Sequence, residues 1–227
     1  MEQLTTVNIT PLNKRHANTM VYGSLILILV LMGAYPLLKT VWAIYILLLP
    51  TFILFFIIGC GKLMEPDPSL TIAPARMTWH SNRGDVVLNW SDIHHFGMPA
   101  GSRASGHAPL NLIGIQLHRI EALLDAIPLR ACNLIIHQHR NLMMAIALDE
   151  SIKEAQAVDE SVLNDKFQGN NGELYTGLKA SLAHRLLHTK KLTGYHMFIP
   201  ANCLDRDIEA FLPLLKDYHL QAVAQKE

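Results

Sequence analysis

Two long apolar runs lie nearly back to back near the start of the chain, Val21–Leu38 and Val41–Cys60, with only Lys39 and Thr40 between them. Neither contains a charged side chain, and each approaches the roughly 20 residues that a helix needs to cross a bilayer core. A helix apolar on every side has no face to turn toward water. The pattern predicts a transmembrane helical hairpin over residues 21–60, with spans 21–38 and 41–60, after a tail of residues 1–20. The lipid bilayer is the partner this hairpin implies. A cleaved signal peptide is disfavoured, because the first run is too long for an h-region and a second span follows at once.

The flanks set an orientation. Lys14 and Arg15 precede the first run, Lys62 and Arg76 follow the second, and the turn offers only Lys39. The positive-inside rule then places both termini, and the whole C-terminal part, in the cytoplasm. The location expected is a bacterial inner membrane, crossed twice. No ionisable residue sits inside either run, so the hairpin reads as an anchor and not as an ion path. Pro50 is expected to kink the second span by freeing the carbonyl of Ile46.

Of the 227 residues, about 165 remain for one soluble domain with its own core. Lys plus Arg equals Asp plus Glu at 19 each, which argues against a nucleic-acid binder. The three cysteines, Cys60, Cys132 and Cys203, have no C-x-x-C spacing. They suit neither a disulfide framework nor a thiolate zinc site, and read as reduced thiols.

After a linker at 61–68, the domain is expected to span 69–227 and to fold by itself from about Pro66. Short strands are predicted at Leu70–Ile72, Met77–His80 and Val86–Trp90, with turn chemistry at Ser81–Asp85. Pro99–Pro109 reads as a loop, and Asn111–Leu117 as the next strand. Ile120, Leu123, Leu124 and Ile127 have helical spacing before Pro128. Cys132–Gln138 and Leu142–Leu148 are predicted as two strands joined by a turn at His139–Asn141. An insertion at 149–193 is acidic at first. It ends in a helix whose leucines, Leu174, Leu178, Leu182 and Leu186, recur every four residues. Gly194–Ile199 is the last strand. Asp205 is the expected N-cap of a closing helix that Pro213 should kink. The class is α+β: about seven antiparallel strands in a barrel or sandwich with a C-terminal helix, the pleckstrin-homology-like (PH-like) plan.

The two-span hairpin, the segment Leu88-Asn89-Trp90-Ser91-Asp92-Ile93, and the run Gly194-Tyr195-His196-Met197-Phe198-Ile199-Pro200 leading into Asp207–Leu212 together resemble an uncharacterised bacterial family, a domain of unknown function. They are also similar to the wider set of bacterial membrane proteins with a PH-like cytosolic part. The resemblance implies a fold and a membrane location, and brings no catalytic residues with it.

Twelve histidines raise the question of metal. His94 and His95 are adjacent and should point apart along an extended strand. His137 and His139 would share one strand face, although His139 falls in the predicted turn. His184 and His188 share a helix face. None of these pairs has a third or fourth ligand at recognisable spacing, so no metal, cofactor or catalytic residue is assigned. Gly101–His107 lacks the order and the lysine of a phosphate loop. Asp92 reads as a turn residue. Arg185, Lys190 and Lys191 form a basic cluster, read as a solubilising helix end, with lipid headgroups as the other contact open to it. The function expected is a membrane-anchored, non-enzymatic interaction module with a protein partner. The alternative is a metal-dependent or enzymatic accessory protein using the histidines.

Overall fold

The computed structural model describes residues 5–11, 14, 16–34, 42–99, 112–147 and 165–224. The chain opens with a short strand, β1 (Val7–Ile9), then forms two apolar helices, α1 (Ala17–Gly33) and α2 (Trp42–Leu63). At 1.5 Å per residue these are about 26 and about 33 Å long. Within α2, Tyr45–Leu63 is long and apolar enough to cross a membrane, and α1 is a shorter apolar helix. The turn at Pro36–Thr40 lies outside the described residues.

The two helices pack on each other but leave most apolar side chains outward. Leu25, Ile26, Leu29 and Val30 of α1, and Ile46, Leu47, Leu54 and Ile57 of α2, are all exposed. They approach closely at Gly59, where an added Cβ would lie 2.8 Å from Val21 Cγ2. Ser24 is buried and returns its hydroxyl to the helix, on the Met20 and Val21 carbonyls at 2.6 and 3.0 Å. α2 continues through Pro50.

Next come β2 (Leu70–Ile72), β3 (Arg76–Trp79), β4 (Val86–Asn89), a 3-10 turn at Trp90–Asp92, β5 (Ile93–Gly97) and β6 (Leu112–Leu117). Helices α3 (Glu121–Ala126) and α4 (Leu129–Ala147) follow, then β7 (Lys166–Gln168), β8 (Leu174–Thr176), α5 (Leu178–Thr193), β9 (Met197–Pro200) and α6 (Ile208–Ala224). All pairing is antiparallel, in three sheets: β1-β2-β3-β4, β5-β6-β9, and β7-β8. No closed barrel forms among the described residues.

The tail strand β1, read from sequence as outside the domain, is an edge of the first sheet. Val7 pairs with Ile72, Asn8 with Thr71 and Ile9 with Leu70. Ile9 is buried in the same core as Leu70, Ile72, Met77 and Trp79. Trp90 carries the chain from the first large sheet to the second. Its ring is buried, its Nε1 donates to the Ala73 carbonyl at 2.8 Å, and Phe96 and Tyr218 pack on it. Asp92 is a turn residue as expected, accepting from Asn89 Nδ2 at 3.0 Å.

The largest correction concerns 132–148. The two predicted strands and their turn are one helix, α4. Its buried residues, Ala131, Cys132, Ile135, His139 and Leu142, lie on one helical face, with steps of three and four from Cys132 onward. The apolar stretch Leu134-Ile135-Ile136 imitates a strand because the buried face is wide. A second correction concerns Leu174, which belongs to β8. Gly177 has φ +61, a left-handed conformation that separates β8 from α5. The N-terminus of the closing helix lies two residues later than expected: the Asp207 carbonyl accepts from Ala210 and Phe211. That helix also runs on past Pro213. The strands expected at about seven number nine among the described residues.

Candidate functional site

β5 contains a bulge. Ile93 pairs with Leu117 while His95, two residues on, pairs with Gln116. A bulge inserts one extra residue and re-aims a side chain. Here it cancels the alternation that would have sent His94 and His95 to opposite faces, and both are exposed. Their Nδ1 atoms lie 3.2 Å apart, a hydrogen-bonding distance at which one nitrogen donates and the other accepts. His118, just past β6, stacks on His94 with centroids 4.8 Å apart. His219 of α6 donates from Nε2 to the Trp90 carbonyl at 3.2 Å and is electrostatically coupled to His118 and His94. His95 is held below the ordinary histidine pKa by burial, then by His94 and Lys216. His219 is also lowered, chiefly by burial. The strand, the residue after β6 and the last helix thus meet in one titratable patch. The sequence carried no signal for it, because these positions share no periodicity.

Beside this patch Tyr195 lies flat on the outer face of the second large sheet. A Cβ on Gly114 would come within 2.4 Å of Tyr195 Cγ, and Gly97 is its cross-strand partner. The two glycines make a bed that any larger residue would fill. Beyond it, between that face and α4, is a cavity of about 350 Å³ lined by Leu112, Gln138, His139, Leu142 and Phe198.

His139 is buried here, not solvated in a turn. The Thr189 hydroxyl gives its hydrogen to the Arg185 carbonyl at 2.7 Å, so at 3.2 Å it accepts from His139 Nδ1. That fixes the tautomer and leaves His139 Nε2 with a lone pair. Among the described residues, neither this nitrogen nor Arg185 Nε has a hydrogen-bond partner. Burial, and then the Arg185 charge, push the His139 pKa down to about 3. His196 is buried too, accepts from the Leu117 N–H at Nδ1, and is lowered to about 4 by burial and then Lys190.

The other sequence candidates disperse. His137 is exposed on the opposite side of α4 from His139. His184 donates from Nε2 to the Lys166 carbonyl at 3.0 Å and packs edge-on to Phe167, pinning β7 to α5. Arg185 is half-buried beside α4, while Lys190 and Lys191 lie in the last turn of α5, where cations complement the helix dipole. Cys132 and Cys203 have thiol pKa values raised by burial, the reverse of an activated nucleophile. Gly101–His107 lies outside the described residues. Among the described residues no group of three or more His, Cys, Asp or Glu side chains is placed to hold a metal ion.

A second cavity, of about 250 Å³, sits where the chain enters and leaves the helix pair. Pro11, between β1 and α1, and Glu65 and Pro66, just after α2, form one side. Trp79, His80 and Arg83 of the β3–β4 hairpin form another, and Asn202 and Cys203 close it. His80 is fixed between the Thr71 hydroxyl and the Asp85 carboxylate, at 3.0 Å each. The tight turn that carries Arg83 is locked by Ser81, whose hydroxyl donates to the Gly84 carbonyl at 2.7 Å.

Comparison with curated proteins and with solved structures gives no match. A family model described as "Protein of unknown function (DUF2982)" matches residues 70–221, from β2 into α6, and the chain belongs to that family.

Proposed function

We propose that this protein is a membrane-anchored interaction module, held by a two-span hairpin with its domain and both termini on the cytoplasmic side of a bacterial inner membrane. One observation carries the reading. β1 precedes the helix pair, β2 follows it, and the two strands are hydrogen-bonded neighbours. Neighbouring strands occupy the same side of a membrane, so the chain between them crosses an even number of times. If α2 crosses, α1 crosses with it. The outward apolar surface of both helices fits a lipid environment. The lysines and arginines at the domain end fit a cytoplasmic domain.

The PH-like plan is part of the same proposal. Its support is the order of elements: four strands in one antiparallel sheet, three in the next, and a closing helix that packs on Trp90 and Phe96. Such a domain presents loops and sheet edges to a protein partner and needs no catalytic group. The test is topology in intact cells. A Lys39→Cys variant should react with a membrane-impermeant thiol reagent added outside. An Asp85→Cys variant should react only after the membrane is opened. Labelling of Asp85→Cys in sealed cells overturns the orientation, and protection of Lys39→Cys in sealed cells overturns the two-span reading.

A further inference from the structure

We propose that the His94–His95 pair on the bulge of β5 is a chelating site for a divalent late-transition-metal ion, zinc or copper, held by the two Nδ1 atoms. The site goes beyond the interaction-module reading and does not depend on it.

Geometry is the first argument. Adjacent residues of a regular strand face opposite ways, so a His-His dipeptide does not ordinarily bring two rings to one ion. The bulge between Ile93 and His95 removes that obstacle. The two Nδ1 atoms lie 3.2 Å apart. Imidazole nitrogens about 2.05 Å from zinc lie about 2.9 Å apart at a right angle and about 3.3 Å apart at the tetrahedral angle. The separation in the protein falls between these values, so a small rotation of each ring lets one ion take both nitrogens. His118 stacks on the His94 ring with centroids 4.8 Å apart, and Tyr195 packs edge-on to His95 at 5.5 Å, so each ring is braced by a neighbour. Both histidines are exposed and open to an ion from solvent.

The chemistry of the donors is the second argument. Burial, then His94 and Lys216, hold His95 below the ordinary histidine value, so it is a neutral imidazole at pH 7 and above. The ring that donates to the other shifts its proton to Nε2, and two Nδ1 lone pairs then face the ion. Imidazole suits zinc and copper, whereas calcium and magnesium require oxygen ligands. Lys216 adds a positive charge that a hard cation would have to overcome. Among the described residues no set of three or more His, Cys, Asp or Glu side chains is placed to hold an ion. The donor set is therefore two nitrogens, water fills the remaining positions, and the ion is exchangeable.

The test uses the full chain, purified in detergent without a histidine tag and titrated calorimetrically with zinc chloride or copper chloride at pH 7.5. The expected result is one ion per chain, copper held more tightly than zinc, with no competition from excess calcium. His94→Ala and His95→Ala should each weaken binding by at least about tenfold, the least that even an outer-shell substitution costs. Both positions are exposed, so both variants should keep the thermal unfolding of the parent. His137→Ala, at an exposed position on α4, should bind as the parent does. Electron paramagnetic resonance of the copper-loaded protein should show two imidazole nitrogens in the parent and one in either variant of the pair. A parent that binds neither ion overturns the proposal, as does binding that survives both substitutions. An equal loss in His137→Ala would show ions scattered over surface histidines and overturns it as well.

Discussion

Ile9, which precedes both apolar helices, is the strand partner of Leu70, which follows them. Ser69 reinforces the contact: its N–H donates to the Ile9 carbonyl at 2.9 Å, and its hydroxyl sits between that oxygen, at 3.0 Å, and the Cys203 carbonyl, at 2.5 Å. The helix pair is thus a long excursion out of one sheet, and the domain begins before it.

That connection gives the first prediction. A chain cut to residues 66–227 lacks β1 and exposes the edge of β2. The same chain with residues 5–11 restored through a short Gly/Ser link should be more stable by about 1.5–3 kcal/mol, the worth of burying one large aliphatic side chain. Urea unfolding of the two proteins checks it. Equal midpoints would show that β1 is dispensable.

Helix packing gives the second. A Cβ at Gly59 meets Val21 N at 3.1 Å and Met20 Cβ at 3.2 Å, as well as the Val21 methyl. The backbone nitrogen cannot rotate aside. Gly59→Leu should push α1 and α2 apart at the domain end, costing about 1–3 kcal/mol by overpacking. Thermal unfolding of the detergent-solubilised protein should drop, with Gly61→Leu, where nothing lies within 4 Å, close to the parent. Equal effects of the two substitutions would refute the close approach.

Acid stability gives the third. Below about pH 6.5 the unfolded chain takes up a proton at His139 and at His196 that the folded chain refuses. Both folded pKa values are lowered, to about 3 and about 4. Stability is therefore full above about pH 6.5 and is lost as pH falls toward 4, at up to about 1.4 kcal/mol per pH unit for each histidine. Urea midpoints at pH 7.5, 5.5 and 4.5 should fall in that order. The slope should flatten in a His139→Leu, His196→Gln double variant, and an unchanged slope would assign the acid sensitivity to other groups.

The bulge gives the fourth. His95 should titrate below an ordinary histidine, and His94→Ala should move it upward, since His94 is the second cause of its depression after burial. Side-chain NMR titration of His95 in the two proteins reads the effect. A His95 titration unaffected by His94→Ala would mean that the His94 ring does not act on His95 in solution.

Much of the fold was legible in the chain because local chemistry sets it. The apolar runs mark α1 and α2, although the helices extend outside the predicted limits, to Ala17 and Leu63. Turn chemistry at Ser81–Asp85 marks the β3–β4 hairpin, and Ile120, Leu123, Leu124 and Ile127 are all buried as their spacing implies. Errors arose where a short apolar run fits both periods. Leu134-Ile135-Ile136 satisfies a strand as well as a wide helical face, and only packing against α5 decides between them.

The sequence by itself determined two apolar helices, an α+β domain after them, and the absence of any familiar catalytic spacing, because each is written in neighbouring residues. Tertiary structure decided what depends on residues far apart. It placed Ile9 beside Leu70 across the helix pair, and that pairing makes the two helices part of a connection between neighbouring strands of one sheet. It inserted a bulge that turned His94 and His95 to one side and brought His118 and His219 to them. It buried His139 and joined Glu65 and Arg83 across one cavity. The physical reason is common to all four: periodicity encodes which side of its own element a residue faces, whereas the neighbour it meets there is set by how the elements pack.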